Sequence, residues 1–230
     1  MTLTLITGGN KGLGYEAARR LIGLGHTVYI GARNEELGKK AADELGARFV
    51  LLDVSEDDSV NAAAAEIMAK EGYLDVLINN AGIASQFSDP QDVTADQTRQ
   101  IYETNVFGIV RMTHAFLPLL RKSEAPVIVN VGSGLGSFGM VLNPNKIESR
   151  VNALAYSSSK AAVSMLTVQY AKGLPDIRVN AVDPGPTKTD LTGHGLQTVE
   201  EGTDAIVRMA TIGKDGPTGT FTDRKGEIPW

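Results

Sequence analysis

A chain of 230 residues, 42% hydrophobic and 21% charged, is long and apolar enough to bury a sizeable core as one domain, and it is not the composition of a disordered protein. Lys plus Arg number 22 and Asp plus Glu 27, so a net charge of −5 argues against charge-driven binding to nucleic acid or to anionic lipid. With no cysteine, disulfides, thiolate metal sites and a thiol nucleophile are excluded, which suits a cytoplasmic protein. No apolar run reaches the length of a membrane span. The apolar start of the chain is cut off at Gly8 and Gly9 without a basic leader, so no secretory signal is expected.

Short apolar or β-branched runs alternate with longer segments of helical spacing. Leu3–Thr7 reads as a strand and Leu13–Gly23 as a helix; Thr27–Gly31 and Asn34–Leu45 repeat the pair. Arg48–Asp53 reads as a strand, and Ser55–Lys70 as an Ala-rich helix with Ser55 as N-cap. Val76–Asn79 is a short buried run, and Thr94 to about Arg121 is helical, in one or two pieces. Val127–Val131 predicts a strand, Tyr156–Lys172 a helix, Arg178–Val182 a strand and Val199–Ile212 a last helix. Strands separated by such helices predict an α/β fold: a doubly wound parallel sheet with helices on both faces. The long segments Gly132–Ala155 and Gly185–Glu200 follow strands, where an open α/β sheet binds its ligands.

The first strand runs into Thr7-Gly8-Gly9-Asn10-Lys11-Gly12-Leu13-Gly14 and then a helix. Glycines there let the backbone turn sharply and approach a pyrophosphate, whose charge is received by the helix N-terminus. No Gly-Lys-Ser/Thr follows, so a P-loop is rejected. The second strand ends at Arg33, where selection of NAD(H) would call for an acid to bind the ribose 2′-OH. Together with Lys11, Arg33 favours NADPH/NADP+ over NADH/NAD+; Glu35 and Glu36 read as the acidic first turn of the next helix.

In order along the chain stand this glycine turn, Leu52-Asp53-Val54, Asn79-Asn80-Ala81-Gly82, Asn105-Val106-Phe107-Gly108, Ser133, Tyr156-Ser157-Ser158-Ser159-Lys160 and Pro184-Gly185-Pro186-Thr187-Lys188-Thr189. This series resembles the short-chain dehydrogenases/reductases. The turn, Ala32-Arg33 and the ending Gly216-Pro217-Thr218-Gly219 to Ile228-Pro229-Trp230 look like the NADPH-dependent carbonyl reductase branch. The resemblance implies a Rossmann-type domain. Its cofactor contacts would come from Gly8, Asn10, Lys11, Gly12, Leu13, Gly14, Arg33, Val54, Pro184 and Gly185. Asp53 would bond the adenine amino group, Asn79, Ala81 and Gly82 would line the adenosine ribose and steady the central sheet, and Thr187 and Thr189 would hold the nicotinamide carboxamide. Tyr156 would be the acid and Ser133 would polarise the substrate oxygen. Lys160 would grip the nicotinamide ribose, and Asn105 would hold a water in a proton relay.

Tyr156 and Lys160, four apart on a helix, share one face, and a nearby ammonium would lower a phenol from its ordinary pKa of ~10. Each of these residues alone has an ordinary structural explanation; together, in this order, they point to an NADP-dependent oxidoreductase acting on an aldehyde, ketone or alcohol. The alternatives are an NAD-dependent alcohol dehydrogenase and a dinucleotide sensor without catalysis. The histidines His26, His114 and His194 lack metal-ligand spacing, and Val131 and Leu135 replace the flanking glycines of a nucleophile elbow.

The segment between Ser133 and Tyr156 is longer than is usual in the family. Its Val141–Arg150 stretch is expected to wall the substrate or to cover an oligomer face. Leu191, Leu196, Met140 and Val141 suggest an apolar substrate pocket. Relatives in the family often pack as homodimers or homotetramers through the helices near 94–121 and 156–172, a packing that the extra segment before Tyr156 would either allow or block, so the resemblance leaves the oligomeric state open.

Overall fold

The computed structural model describes residues 1–84, 89–189, 193 and 195–230. Strands β1 (Leu3–Thr7), β2 (Thr27–Ala32), β3 (Arg48–Leu51), β4 (Val76–Asn79), β5 (Val127–Val131), β6 (Arg178–Val182), β7 (Phe221–Asp223) and β8 (Gly226–Glu227) form one sheet in the order β3-β2-β1-β4-β5-β6-β7-β8. Neighbouring strands are parallel throughout except for the β7–β8 hairpin. Helices α1 (Gly12–Gly23), α2 (Glu35–Leu45), α3 (Asp57–Lys70), α4 (Ala95–Tyr102), α5 (Gly108–Leu120), α6 (Phe138–Val141), α7 (Leu154–Gly173) and α8 (Val199–Ala210) lie in the connections.

Each central strand is apolar on both sides because both faces of the sheet are covered. Leu5, Leu77, Ile128 and Val179 pack with Ile67 of α3 and with Met112 and Phe116 of α5. The alternate residues Ile6, Ile78, Val129 and Val182 pack with Ala17 and Leu21 of α1 and with Ile206 of α8. The two-residue strand period thus divides the core into two layers, giving the Rossmann-type doubly wound architecture expected from the sequence.

Several boundaries differ from expectation. Ser55 does not cap α3. The helix begins at Asp57 after Glu56, and the Ser55 hydroxyl donates to Asp53 Oδ1 at 2.6 Å. α4 opens with a reciprocal capping box between Thr94 and Gln97. Its continuation to α5 is neither a break nor a uniform helix but a π-turn, Glu103–Phe107. Gly108, just past that turn, sits against Val54, whose Cγ2 would be 2.9 Å from an added Cβ. β7 and β8 are absent from the sequence reading. Among the described residues, no helix is long and apolar enough to cross a membrane.

Candidate active site

The chain leaves β1 toward β2 and β3 on one side, then returns through β4 toward β5 and β6 on the other. The crevice at this reversal opens beyond the carboxyl ends of β1 and β4, the usual ligand position in such a sheet. The glycine turn forms one wall. Gly8 and Gly12 have φ of +63° and +56°, in the left-handed region, where a side chain would be strained. Gly14 packs so tightly that an added Cβ would lie 2.5 Å from the Gly8 carbonyl oxygen. Lys11 caps α1 without a side-chain bond to the helix, and no acidic side chain stands in the first turn. Those first-turn N–H groups suit an anion such as a pyrophosphate.

Thr7 fixes the opposite lip. Its hydroxyl accepts the backbone N–H groups of Asn80 and Ala81 at 3.0 and 2.9 Å, while the Asn80 amide donates to the Thr7 carbonyl at 2.8 Å. Gly8, Asn10, Lys11, Gly12, Leu13, Arg33, Asp53, Val54, Ala81, Gly82, Ser133, Tyr156, Lys160, Pro184, Gly185, Thr187 and Thr189 all line the cleft. Gly14, Asn79 and Asn105 do not. Asn79 does not line the cleft as expected but does brace the central sheet: it is buried in β4, and its amide donates to Asn130 Oδ1 of β5 at 2.9 Å. Alternation along the strand turns Asn79 into the sheet and leaves the next residue, Asn80, on the cleft. Asn80, Ile83, Thr104, Gly132 and Asp183 also line it and were not singled out by the sequence.

At one end of the cleft lie Lys11 and Arg33, both exposed, with Asp53 between the ends of β3 and α3. No acid ends β2, and Glu35 pairs instead with Lys39 one turn along α2 at 2.7 Å. Among the described residues Arg33 makes no ion pair. The Asp53 carboxylate is held by the N–H and hydroxyl of Ser55. The Thr187 hydroxyl is engaged within its own loop, donating to the Pro184 carbonyl at 3.0 Å and receiving the Gln197 amide at 2.9 Å.

At the other end stand Ser133, just past β5, and Tyr156 and Lys160, on one face of α7. The Ser133 hydroxyl stands beside the Tyr156 phenol and draws its pKa down. Lys160 donates from Nζ to the Val131 carbonyl at 2.8 Å, and the same Nζ lies 5.7 Å from the centre of the Tyr156 ring. Burial pushes the Tyr156 phenol up to about 12, with Ser133 acting against it and the Asp183 charge adding to it. Burial also brings the Lys160 ammonium down to about 8, opposed by Asp183. The expected lowering of the phenol by Lys160 is therefore not what the protein groups produce: burial dominates at both positions, and the groups acting on the phenol are Ser133 and Asp183.

Asn105 reaches the interior through the π-turn, which advances the chain by one extra residue. It is 1% exposed, accepts the Ile83 N–H at 2.8 Å, and donates to the Ile83 carbonyl and to Ser159 Oγ at 2.9 and 3.1 Å. Asn105 therefore anchors the Gly82–Ile83 lip to α7 from behind the cleft.

The segment before Tyr156 folds into α6 and a turn at Ile147–Arg150. Met140 is buried against Gly134, and Met140, Val141 and Leu196 do not line the cleft described above. Leu191 and His194 lie outside the described residues.

A family model described as short chain dehydrogenase matches residues 2–199. The chain is 39% identical to the short-chain dehydrogenase anuI of Penicillium roqueforti (strain FM164) over 225 residues, covering 92% of this chain and 89% of that protein. It is 31% identical to (+)-neomenthol dehydrogenase of Capsicum annuum, covering 96% and 95%. The crystal structure of NADPH bound carbonyl reductase from chicken fatty liver superposes with a TM-score of 0.87 at 28% identity, covering 100% of both chains. The cleft at the strand reversal, the residues converging on it and these matches along nearly the whole chain agree: the protein belongs to the short-chain dehydrogenase family and is an oxidoreductase.

Proposed function

We propose that the protein reduces an aldehyde or ketone to an alcohol with NADPH as cofactor. The observation that carries this reading is the convergence of Ser133, Tyr156 and Lys160 at one end of a cleft whose other end holds Lys11 and Arg33. The dinucleotide fits the chain's own chemistry. The first-turn N–H groups of α1 would receive the pyrophosphate, and the two cations would receive the 2′-phosphate that distinguishes NADPH. The ends of β5 and β6 would flank the nicotinamide. Bound there, NADPH would supply the hydride.

The remaining steps belong to side chains. Ser133 would donate a hydrogen bond to the substrate oxygen and orient Tyr156. As hydride reaches the carbonyl carbon, Tyr156 would give its phenolic proton to the oxygen and be left as phenolate. Lys160, buried and fixed by Val131, would hold positive charge beside that phenolate. Asn105 would keep the Gly82–Ile83 lip in register with α7. The pepper dehydrogenase and the chicken carbonyl reductase support oxidoreduction between carbonyls and alcohols, and the NADPH-bound state of the chicken protein supports NADPH.

Residues 1–230 would act as one domain. Exposed Phe107, Val110 and Met165 on the π-turn, α5 and α7 support a homodimer or homotetramer, which sedimentation velocity would test.

Initial rates of NADPH and NADH oxidation against a panel of aldehydes, ketones, diones and quinones test the reading. NADPH-selective turnover that Tyr156→Phe removes is expected. Selective oxidation of alcohols with NAD+ would replace the proposal with the opposite direction, and dinucleotide binding without turnover by any panel member would favour a sensor.

A further inference from the structure

The turn after β6 supplies Pro184, Gly185, Thr187 and Thr189 to the cleft, yet it belongs to no helix or strand. What holds it comes from further along the chain. Gln197 stands just before Thr198, which caps α8 in a reciprocal capping box with Glu201. α8 is buried against the sheet through Ala205, Ile206 and Met209, so Gln197 is rooted in the core. Its side-chain amide donates to the Pro184 carbonyl and, at 2.9 Å, to Thr187 Oγ1. Its backbone pairs with the same turn. Thr187 and Gln197 form a parallel β-bridge, Lys188 N–H donates to the Gln197 carbonyl at 3.2 Å, and Leu196 N–H donates to the Pro186 carbonyl at 2.7 Å.

The turn is also closely packed around this amide. Thr187 is 2% exposed, and its hydroxyl donates to the Pro184 carbonyl at 3.0 Å. Gly202 of α8 presses on it from the other side: an added Cβ there would collide with the Thr187 hydroxyl and stand 3.0 Å from Leu13 Cδ2. Gly185 has φ +68°, and a Cβ on it would lie 3.0 Å from Gln197 Nε2. Taking the amide away would leave the partly buried Pro184 carbonyl and the Thr187 hydroxyl short of a donor, which is costlier than losing an exposed bond.

We propose that Gln197 is a positioning residue: its amide fixes the Pro184–Thr187 turn to α8 and thereby decides which face of a nicotinamide is turned toward Tyr156. The step from turn to nicotinamide rests on the reductase reading, in which Thr187 holds the carboxamide; the hold of Gln197 on the turn does not. A dihydronicotinamide can give hydride from either face of C4. Half a rotation about the ribose bond exchanges the faces and carries the carboxamide to the opposite side. A carboxamide partner held in one place therefore selects one face, and a partner that shifts admits both. The same looseness misaligns donor and carbonyl carbon, so the loss falls on kcat more than on KM.

The test compares the full-length wild type with Gln197→Met, which keeps the length and removes the donor, and Gln197→Glu, which keeps the shape and replaces the donor by an acceptor. Hydrogen exchange without cofactor should be about tenfold faster at the Lys188 and Leu196 amides in both variants, with exchange in β5 unchanged. In turnover, kcat should fall about tenfold and KM for the carbonyl should stay within about threefold. With NADPH deuterated at one C4 position, the wild type should transfer from a single face and both variants from two. Because Gln197 acts through Thr187, adding Gln197→Met to Thr187→Val should cost no more than about twofold beyond Thr187→Val alone. Unchanged exchange at Lys188 and Leu196 in both variants overturns the hold on the turn. Single-face transfer with kcat within about twofold of wild type, or additive losses in the double variant, overturns the positioning role. Absence of carbonyl turnover in the wild type overturns the reductase reading alone, since amide exchange reads the turn without substrate or cofactor.

Discussion

Lys160 donates to the Val131 carbonyl at 2.8 Å while its Nζ stands 5.7 Å from the centre of the Tyr156 ring, one helical turn away. The strand end therefore fixes the ammonium beside the phenol, and α7 supplies both groups. Each is buried in a form that opposes its charge: the phenol is pushed up to about 12 and the ammonium is down to about 8.

That pairing gives stability a defined pH dependence. Between about 8 and 10.5 the unfolded chain binds the Lys160 proton and the folded chain does not, so stability rises with pH across this window. The Lys160 contribution to this rise is about 3 kcal/mol at most. Between 10.0 and about 12 Tyr156 reverses the sign, because the folded state holds its proton and the unfolded state releases it. Urea unfolding at a series of pH values should show this rise, and Lys160→Met should remove it. An unchanged slope in Lys160→Met would show that the lysine is not desolvated as described.

Removal of the Tyr156 hydroxyl isolates the acid. Tyr156→Phe keeps the ring and its packing, so NADPH affinity should change by less than about threefold. By contrast, kcat should fall by roughly 10²–10⁴, the range that general acid catalysis supplies. Fluorescence titration with NADPH and steady-state rates on one panel ketone check both halves. Retained kcat would remove Tyr156 from the proton transfer.

Much of this site was legible in sequence because a strand buried on both faces is apolar without interruption, as Leu3–Thr7 and Val127–Val131 are, and glycines mark the turn that follows. Such local signals fix where Gly8, Ser133 and Tyr156 fall. β7 gives no such signal: Phe221–Asp223 is too short to show a period, and Phe221 packs where Gly132 leaves room for its ring. Asn79 and Asn80 differ only in which side of the strand they face, and a motif shared by both does not say which one meets the cleft.

On the proposed reading, cofactor choice turns on charge at the end of β2. Arg33 is exposed and Lys11 stands across the turn on the same cleft, so a 2′-phosphate there would meet two cations. Arg33→Ala and Lys11→Ala should each weaken NADPH binding about tenfold, the scale of a charge-assisted hydrogen bond, and leave NADH binding nearly unchanged. Raising salt should narrow the preference in the wild type, because exposed charges are screened. Equal losses for both dinucleotides in either variant would show that the residue supports the cleft without selecting the phosphate.

The loop that carries Ser133 touches α7 through a residue with no side chain. A Cβ at Gly136 would stand 2.4 Å from the Lys160 carbonyl carbon and 2.7 Å from the Ala161 nitrogen, and both are backbone atoms that cannot rotate away. Gly136→Ala must therefore push the Gly134–Gly136 turn off the helix. Overpacking of this kind costs about 1–3 kcal/mol, and it should shift Ser133 relative to Tyr156 as well. Activity should fall further than stability alone explains, most clearly in kcat at temperatures where the variant remains folded. Gly23→Ala, at a helix end with nothing within 4 Å, is the control and should be neutral or slightly stabilising. A Gly136→Ala enzyme with wild-type kcat and wild-type unfolding would mean that the turn and α7 are not in the close contact that sets Ser133 against Tyr156.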